Sequence, residues 1–143
     1  MAIAGLIFCL SACGFEPSYT GSYIGGDDTA LIQVNLVETD DGQINGALIL
    51  SNPDFNEGRM KSVTVGLTGI RDGSTISLLA ASGNGWSMTL NGRDGKLIWQ
   101  VPDTGQPIEL IVATQADYQR RLLELSQQLN AHDVCGPDSG AEC

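Results

Sequence analysis

The stretch "VTVGLTGIRDGSTISLL" (residues 63–79) decides the fold. In its first half Val63, Val65 and Leu67 alternate with small or polar residues, as in a strand that buries one face. Asp72-Gly73 then interrupts the pattern, and Asp and Gly tolerate the positive φ of a type I′ hairpin turn. A second run of strand-forming residues follows at 74–79. The stretch therefore predicts a β-hairpin.

The same pattern recurs along most of the chain. Six further strand-like runs occur, at residues 20–24, 32–36, 44–50, 86–90, 97–101 and 108–112. Asp41-Gly42 and Asp94-Gly95 supply two more type I′ turn signals. The longest connection, "SNPDFNEGRMK" (residues 51–61), is predicted to be a loop that caps one mouth. Eight antiparallel strands joined in order predict a mainly β, calycin-like up-and-down meander barrel, with a sandwich as the alternative.

A C-terminal helix is predicted to follow the strands. Thr114 is a suitable N-cap and Asp117, three residues later, completes a capping box. Apolar residues recur at helical spacing, so one stripe can pack on the outside of the barrel or across its end: Tyr118, Leu122, Leu125 and Leu129. Gly136-Pro137 marks the stop. We therefore place the barrel at 20–114, the helix at 115–132 and a tail at 133–143.

The chain is strongly acidic, and this limits its partners. It has 143 residues, 17 acidic side chains and 7 basic ones, which gives a formal net charge of −10. Nucleic acid is excluded as a partner, since Lys and Arg must displace counterions from phosphates. An anionic membrane would also repel the chain unless something other than charge holds it there. A basic protein partner would be attracted.

The sequence of the N-terminus predicts an export signal. Residues 1–12 carry no side-chain charge and are too few to span a bilayer as a helix. Leu10-Ser11-Ala12-Cys13 resembles the lipobox of bacterial lipoproteins, although no Lys or Arg precedes it. The resemblance implies cleavage before Cys13, acylation of its thiol and a lipidated tether at 13–19. Gly14 favours the periplasmic face of the outer membrane over the inner membrane. The alternative is a buried first strand with Cys9 and Cys13 as core thiols.

The strand pattern also resembles known barrel families. "YTGSYIGG" (residues 19–26) and "DDGQINGALIL" (residues 40–50) are similar to the opening strands of avidins and lipocalins. Where avidins have a polar ligand contact this chain has Ile24-Gly25, and where they have a Tyr on the second strand it has Leu48, so biotin binding is not implied. A barrel of this size is either filled by its own side chains or holds one small apolar ligand.

Chemistry-bearing residues are sparse, and neither a catalytic site nor a cofactor is expected. His132, the only histidine, is predicted to lie solvated at the end of the helix. Cys135 and Cys143 could join it as metal ligands, but in an exported protein they are expected to form a disulfide instead. The acidic groups Asp27-Asp28 and 38–41 could hold calcium, yet Asp-rich turns explain them better.

One loop suggests a protein partner. The predicted partner-binding loop "SGNGW" resembles the Ser-Gly-rich loop that bacterial lysozyme-inhibitor lipoproteins insert into the lysozyme cleft; it consists of Ser82, Gly83, Asn84, Gly85 and Trp86. The main expectation is a lipid-anchored, non-catalytic module that binds or scaffolds an unknown ligand, such as a basic protein or a small apolar molecule. The alternative is an inhibitor of a basic hydrolase such as lysozyme, acting through this loop.

Overall fold

The computed structural model describes residues 18–134, and side chains up to residue 131. It contains eight strands followed by one helix. These elements are β1 Gly21–Gly26, β2 Leu31–Glu38, β3 Gln43–Asp54, β4 Arg59–Asp72, β5 Thr75–Ala80, β6 Ser87–Arg93, β7 Lys96–Gln100, β8 Pro107–Val112 and α1 Gln115–Val134.

The strands form a closed antiparallel barrel, which confirms the predicted fold. Each strand pairs with its neighbours in sequence, and β1 also pairs with β8. This closing seam is short, with Tyr23 opposite Val112 and Ile24 opposite Ile111. In a closed barrel every strand has a neighbour on both sides, whereas a two-sheet sandwich has edge strands with a neighbour on one side only.

Apolar side chains fill the middle of the barrel. Alternate residues of every strand point inward, so period-two patterning places one row from each strand in a common core. Seven of these residues, drawn from six strands, are completely inaccessible to solvent: Val34, Ile44, Leu48, Ile76, Leu90, Leu97 and Leu110. The central layers of the barrel are therefore filled by its own side chains.

The three Asp-Gly turns differ, and only one has the predicted type I′ geometry. Asp94 and Gly95 both have positive φ, 53° and 76°. In the other two turns only the glycine does. The connection at 39–42 has four residues, and the two central residues after β4 are Gly73 and Ser74, so Asp72 still belongs to the strand. Loop length, rather than the dipeptide alone, sets the turn type.

The predicted long loop at 51–61 is instead the end of the longest hairpin. β3 continues to Asp54 and β4 begins at Arg59, so only residues 55–58 form the turn. Pro53 pairs with Met60 in register. The Asp54 carboxylate accepts hydrogen bonds from the backbone N–H groups of Asn56 and Glu57 and so stabilises a tight turn. The predicted capping loop is therefore wrong.

The helix α1 begins as predicted and packs on the outside of the barrel. Thr114 and Asp117 bond reciprocally at its start, and the pKa of Asp117 is lowered because the Thr114 N–H donates to its carboxylate. Tyr118 and Leu125 are buried against Ile24 and Leu31, on the outer face of β1 and β2. The helix ends at Val134, two residues beyond the predicted end.

Candidate functional site

The two ends of the barrel differ in chemistry. One end carries residue 19, the turns at 39–42, 73–74 and 94–95, and the start of α1; we call it the tyrosine end. The opposite end carries the connections at 27–30, 55–58, 81–86 and 101–106; we call it the tryptophan end. The helix runs between them, because Gln128 near its C-terminus donates a 2.7 Å hydrogen bond to the Asp28 carbonyl at the tryptophan end.

The tyrosine end is closed by a polar plug. The Glu38 carboxylate pairs with the Arg71 guanidinium and accepts the Tyr19 backbone N–H at 2.9 Å. The guanidinium lies 5.6 Å from the centre of the Tyr19 ring. Beneath it, the Tyr23 hydroxyl donates to the Tyr19 carbonyl at 3.1 Å, and burial raises the pKa of Tyr23. The Glu38 carboxylate, the Arg71 guanidinium and the Tyr23 hydroxyl thus each have a partner.

The tryptophan end is apolar and only partly covered. Trp86 is half-buried and its ring meets that of Trp99 edge-to-face, with centroids 6.3 Å apart and planes at 74°. Four other half-buried apolar side chains pack on the core at this end: Leu50, Val65, Val101 and Ile108. Val63, the next inward position on β4, is 59% exposed. We call these six residues the tryptophan rim, namely Leu50, Val63, Val65, Trp86, Val101 and Ile108.

Trp99, just below the rim, carries an unsatisfied hydrogen-bond donor. The residue is 8% exposed and its Nε1 atom is buried. This N–H has no hydrogen-bond partner among the residues that the structure describes. Buried indole N–H groups usually have a partner, so a donor without one marks a place where a partner is expected.

The predicted partner-binding loop lies beside the rim, but its members divide into two groups. Residues 82–85 are exposed, whereas Trp86 turns inward onto the barrel core. The Asn84 side chain accepts the Trp86 N–H at 3.0 Å, and Gly83 and Gly85 have φ of 73° and 81°. This bond and the two glycines shape the loop, which has a small polar tip and an aromatic base.

All the Lys and Arg side chains are paired with carboxylates, and most of the unpaired negative charge lies in the turns. Each of the seven Lys and Arg side chains lies within 4 Å of a carboxylate oxygen. Six acidic side chains in turns or at strand ends have no basic partner within the described chain; Asp27, Asp28 and Asp103 lie at the tryptophan end, and Asp40, Asp41 and Asp72 at the tyrosine end. Both ends are therefore negative.

The acidic groups weighed as calcium ligands serve local turns. Asp27 accepts hydrogen bonds from Thr29 and Ala30, and its pKa is lowered chiefly because the Thr29 hydroxyl donates to it. Asp41 is likewise bonded by the Thr39 hydroxyl, and Glu38 belongs to the plug. Among the described side chains, no three His, Cys, Asp or Glu residues converge as metal ligands would.

The remaining predicted site residues lie outside the described part of the chain. These are Cys13, the proposed lipidation site, and Cys135 and Cys143, the proposed disulfide. The backbone of His132 belongs to α1, but its side chain is not among those described. Within residues 18–134 no helix is long and apolar enough to cross a membrane.

A groove of about 740 Å³ lies outside the barrel, between β8 and the first turns of α1. Its lining residues include Ile24 and Ile111, and Arg120 and Arg121 of the helix. Both arginines already pair with carboxylates on their own helix, Asp117 and Glu124. Because both arginines are already paired, the described lining of this groove offers a ligand no unengaged cation, and we give it less weight than the tryptophan end.

Sequence reasoning found Trp86 but missed Trp99 as a site residue. Trp99 occupies an inward position of β7, and periodicity alone classes it as core. Its one distinguishing signal is that a barrel interior built from aliphatic side chains offers few acceptors for an indole N–H. No protein-family model, curated protein or solved structure matches the chain.

Proposed function

We propose that this protein is a lipid-anchored, non-catalytic binding module of the bacterial cell envelope, which presents its tryptophan end to a ligand. The observation that carries the proposal is the contrast between the ends. The tyrosine end has a plug of hydrogen bonds and an ion pair, whereas the tryptophan end keeps a partly exposed apolar rim and a buried donor without a partner among the described residues. The described core is apolar apart from Gln33 and Ser51, which suits binding rather than proton transfer.

The position of the N-terminus supports this orientation. Tyr19 lies at the tyrosine end, and Cys13 precedes it by six residues. Six residues reach at most roughly 20 Å. A lipid on Cys13 would hold the tyrosine end towards the membrane, at the periplasmic face of the outer membrane if Gly14 directs sorting. The tryptophan end would then face away from the bilayer, where a ligand or partner is accessible.

The anchor is tested by Cys13→Ala. Wild-type protein is expected in the membrane fraction, with a mass gain on the Cys13 peptide, because two or three acyl chains at about 0.8 kcal/mol per buried methylene hold it firmly. The variant is expected to lose most of this membrane association. Cys9→Ala is the matched control, since Cys9 would leave with the signal peptide. Unchanged fractionation of Cys13→Ala, with no acyl mass on Cys13, would defeat the anchor.

A second candidate function is inhibition of a basic hydrolase such as lysozyme, because the polar loop tip at 82–85 is exposed, preformed and part of an acidic protein. In a lysozyme turnover assay, full-length Cys13→Ala protein should inhibit, and Ser82→Arg should weaken inhibition at least about tenfold by placing a positive charge against a basic enzyme. Ser87→Arg, on the outer face of β6, is the control. Wild-type protein that leaves lysozyme fully active would exclude this function.

A further inference from the structure

We propose that the tryptophan end binds a small, uncharged, apolar molecule that carries a hydrogen-bond acceptor, to which Trp99 donates its indole N–H. This inference rests on the proposed binding function and deepens it by naming the class of ligand. Three features of this end of the barrel support it: the buried Trp99 N–H without a partner in the described chain, the apolar tryptophan rim, and the negative charge of the nearby aspartates.

The donor requires an acceptor on the ligand. Trp99 Nε1 is buried and has no partner among the described residues. A donor removed from water without a new hydrogen bond is unfavourable, and a carbonyl or ether oxygen on a ligand would supply that bond. Tyr23, the aromatic residue buried at the other end, shows the contrast, because its hydroxyl has a carbonyl partner at 3.1 Å.

The rim requires an apolar ligand of limited depth. Beside Trp99 and towards the tyrosine end, the barrel is filled by residues with no exposure, including Leu90 and Leu97. The ligand therefore lies at the mouth, between the Trp86 ring and the aliphatic side chains of the tryptophan rim. The neighbouring loop residues, 81–85, are all Ala, Ser, Gly or Asn. Such small residues leave room for Trp86 to move aside, and two of them are glycines, which adopt φ values that other residues avoid.

The surrounding charge excludes an anion. Asp27, Asp28 and Asp103 lie at this end without basic partners in the described chain. The two bases of the adjacent hairpin are already engaged, with Lys61 at 2.5 Å from Asp54 and Arg59 at 2.6 Å from Glu57. A carboxylate or sulfonate ligand would meet only negative potential here, so the acceptor is expected to be neutral.

The experiment uses a matched pair of probes on the full chain with Cys13→Ala, labelled with ¹⁵N. The chain has two tryptophans, so two indole N–H resonances are expected, and Trp86→Phe assigns that of Trp99. 2-Acetylnaphthalene and 2-isopropenylnaphthalene have the same shape, but only the first has an acceptor. We expect the first to bind about tenfold more tightly and to shift the Trp99 N–H downfield, as a hydrogen bond to an otherwise unpaired buried donor should. The anion 2-naphthoate should bind more weakly than 2-acetylnaphthalene.

Two variants locate the effect. Trp99→Phe keeps a ring but removes the donor, so the two naphthalenes should bind it equally. Ile98→Val, on the opposite face of the same strand, should keep the tenfold preference. Equal affinity of both probes for the parent chain, or an unmoved Trp99 resonance, would overturn the inference, as would an internal water already bonded to this N–H that no probe displaces.

Failure of this inference can be told apart from failure of the proposed function. If neither naphthalene binds, but a photo-cross-linker at residue 82 captures an envelope protein in cells, the ligand class is wrong and the binding module stands. If the probes bind as expected and Cys13→Ala does not alter fractionation, the ligand class stands and the lipid anchor is wrong.

Discussion

Gly69→Ala is expected to destabilise the protein by about 3 kcal/mol, which would lower the midpoint of thermal unfolding by roughly 10 °C or more. Gly69 lies on β4, where the backbone of β5 crosses it closely. A Cβ atom here would overlap the Ser77 carbonyl oxygen and lie 2.9 Å from the Leu78 Cα. Both obstacles are backbone atoms of the paired strand, so the clash is relieved only if the barrel itself shifts.

Gly66→Ala is the matched control, three residues earlier on the same strand. Its added Cβ would meet only the Ala81 Cβ, at an ordinary contact distance of 3.5 Å. A change within about 0.5 kcal/mol is expected, because an exposed Gly→Ala change without strain chiefly reduces the entropy of the unfolded chain. Urea unfolding of both variants measures the difference. Equal stability of the two would show that β4 and β5 are not as close as the structure has them.

The contrast between Gly66 and Gly69 shows what the sequence could and could not predict. Gly66 is one of the small residues that alternate with Val63, Val65 and Leu67, whereas Gly69 continues the row of those three. This pattern predicts a strand from residue 63 and its buried face, but β4 begins earlier, at Arg59. The tight crossing at Gly69 depends on how the barrel curves, and period-two patterning carries no information on curvature.

The turns show the same limit. Arg-Asp-Gly occurs at 71–73 and at 93–95, and both copies were correctly predicted to join strands. In the first copy Asp72 pairs with Thr75 inside the ladder, whereas in the second Arg93 pairs with Lys96 and Asp94 occupies the turn. The register is set by which neighbours must face the core, and Arg71 and Ile76 pair across the first hairpin for this reason.

The candidate site was predictable only in part, because it depends on long-range contacts. The aromatic base of the loop, Trp86, was visible in the sequence, but its inward orientation follows from its contact with Trp99, thirteen residues later. The plug at the opposite end joins Tyr19, Glu38 and Arg71, which no local pattern connects. The strands and their buried faces can be predicted from local sequence patterns. Which end of the barrel is covered depends on contacts between residues far apart in the sequence.

Arg71→Met is expected to cost about 3–5 kcal/mol, because it leaves the Glu38 carboxylate without its cation in a nearly buried position. The Glu38 side chain is 6% exposed and that of Arg71 is 14% exposed. The change also removes the guanidinium from the face of the Tyr19 ring. Chemical denaturation should show the loss, and hydrogen exchange at the Tyr19 N–H, which Glu38 accepts, should accelerate if the plug opens locally.

The double variant Glu38→Gln/Arg71→Met distinguishes an uncompensated charge from lost packing. Gln retains an acceptor for the Tyr19 N–H but no charge, so most of the lost stability should return. Lys96→Met is the surface control: Lys96 lies 2.9 Å from Glu109, but the two side chains are 43% and 58% exposed, so at most about 1 kcal/mol should be lost. If the double variant is as unstable as Arg71→Met alone, the loss of stability comes from the missing packing contacts of the Arg71 side chain and not from an unpaired Glu38 charge. The tyrosine end would then be closed by packing, and its charge pair would contribute little.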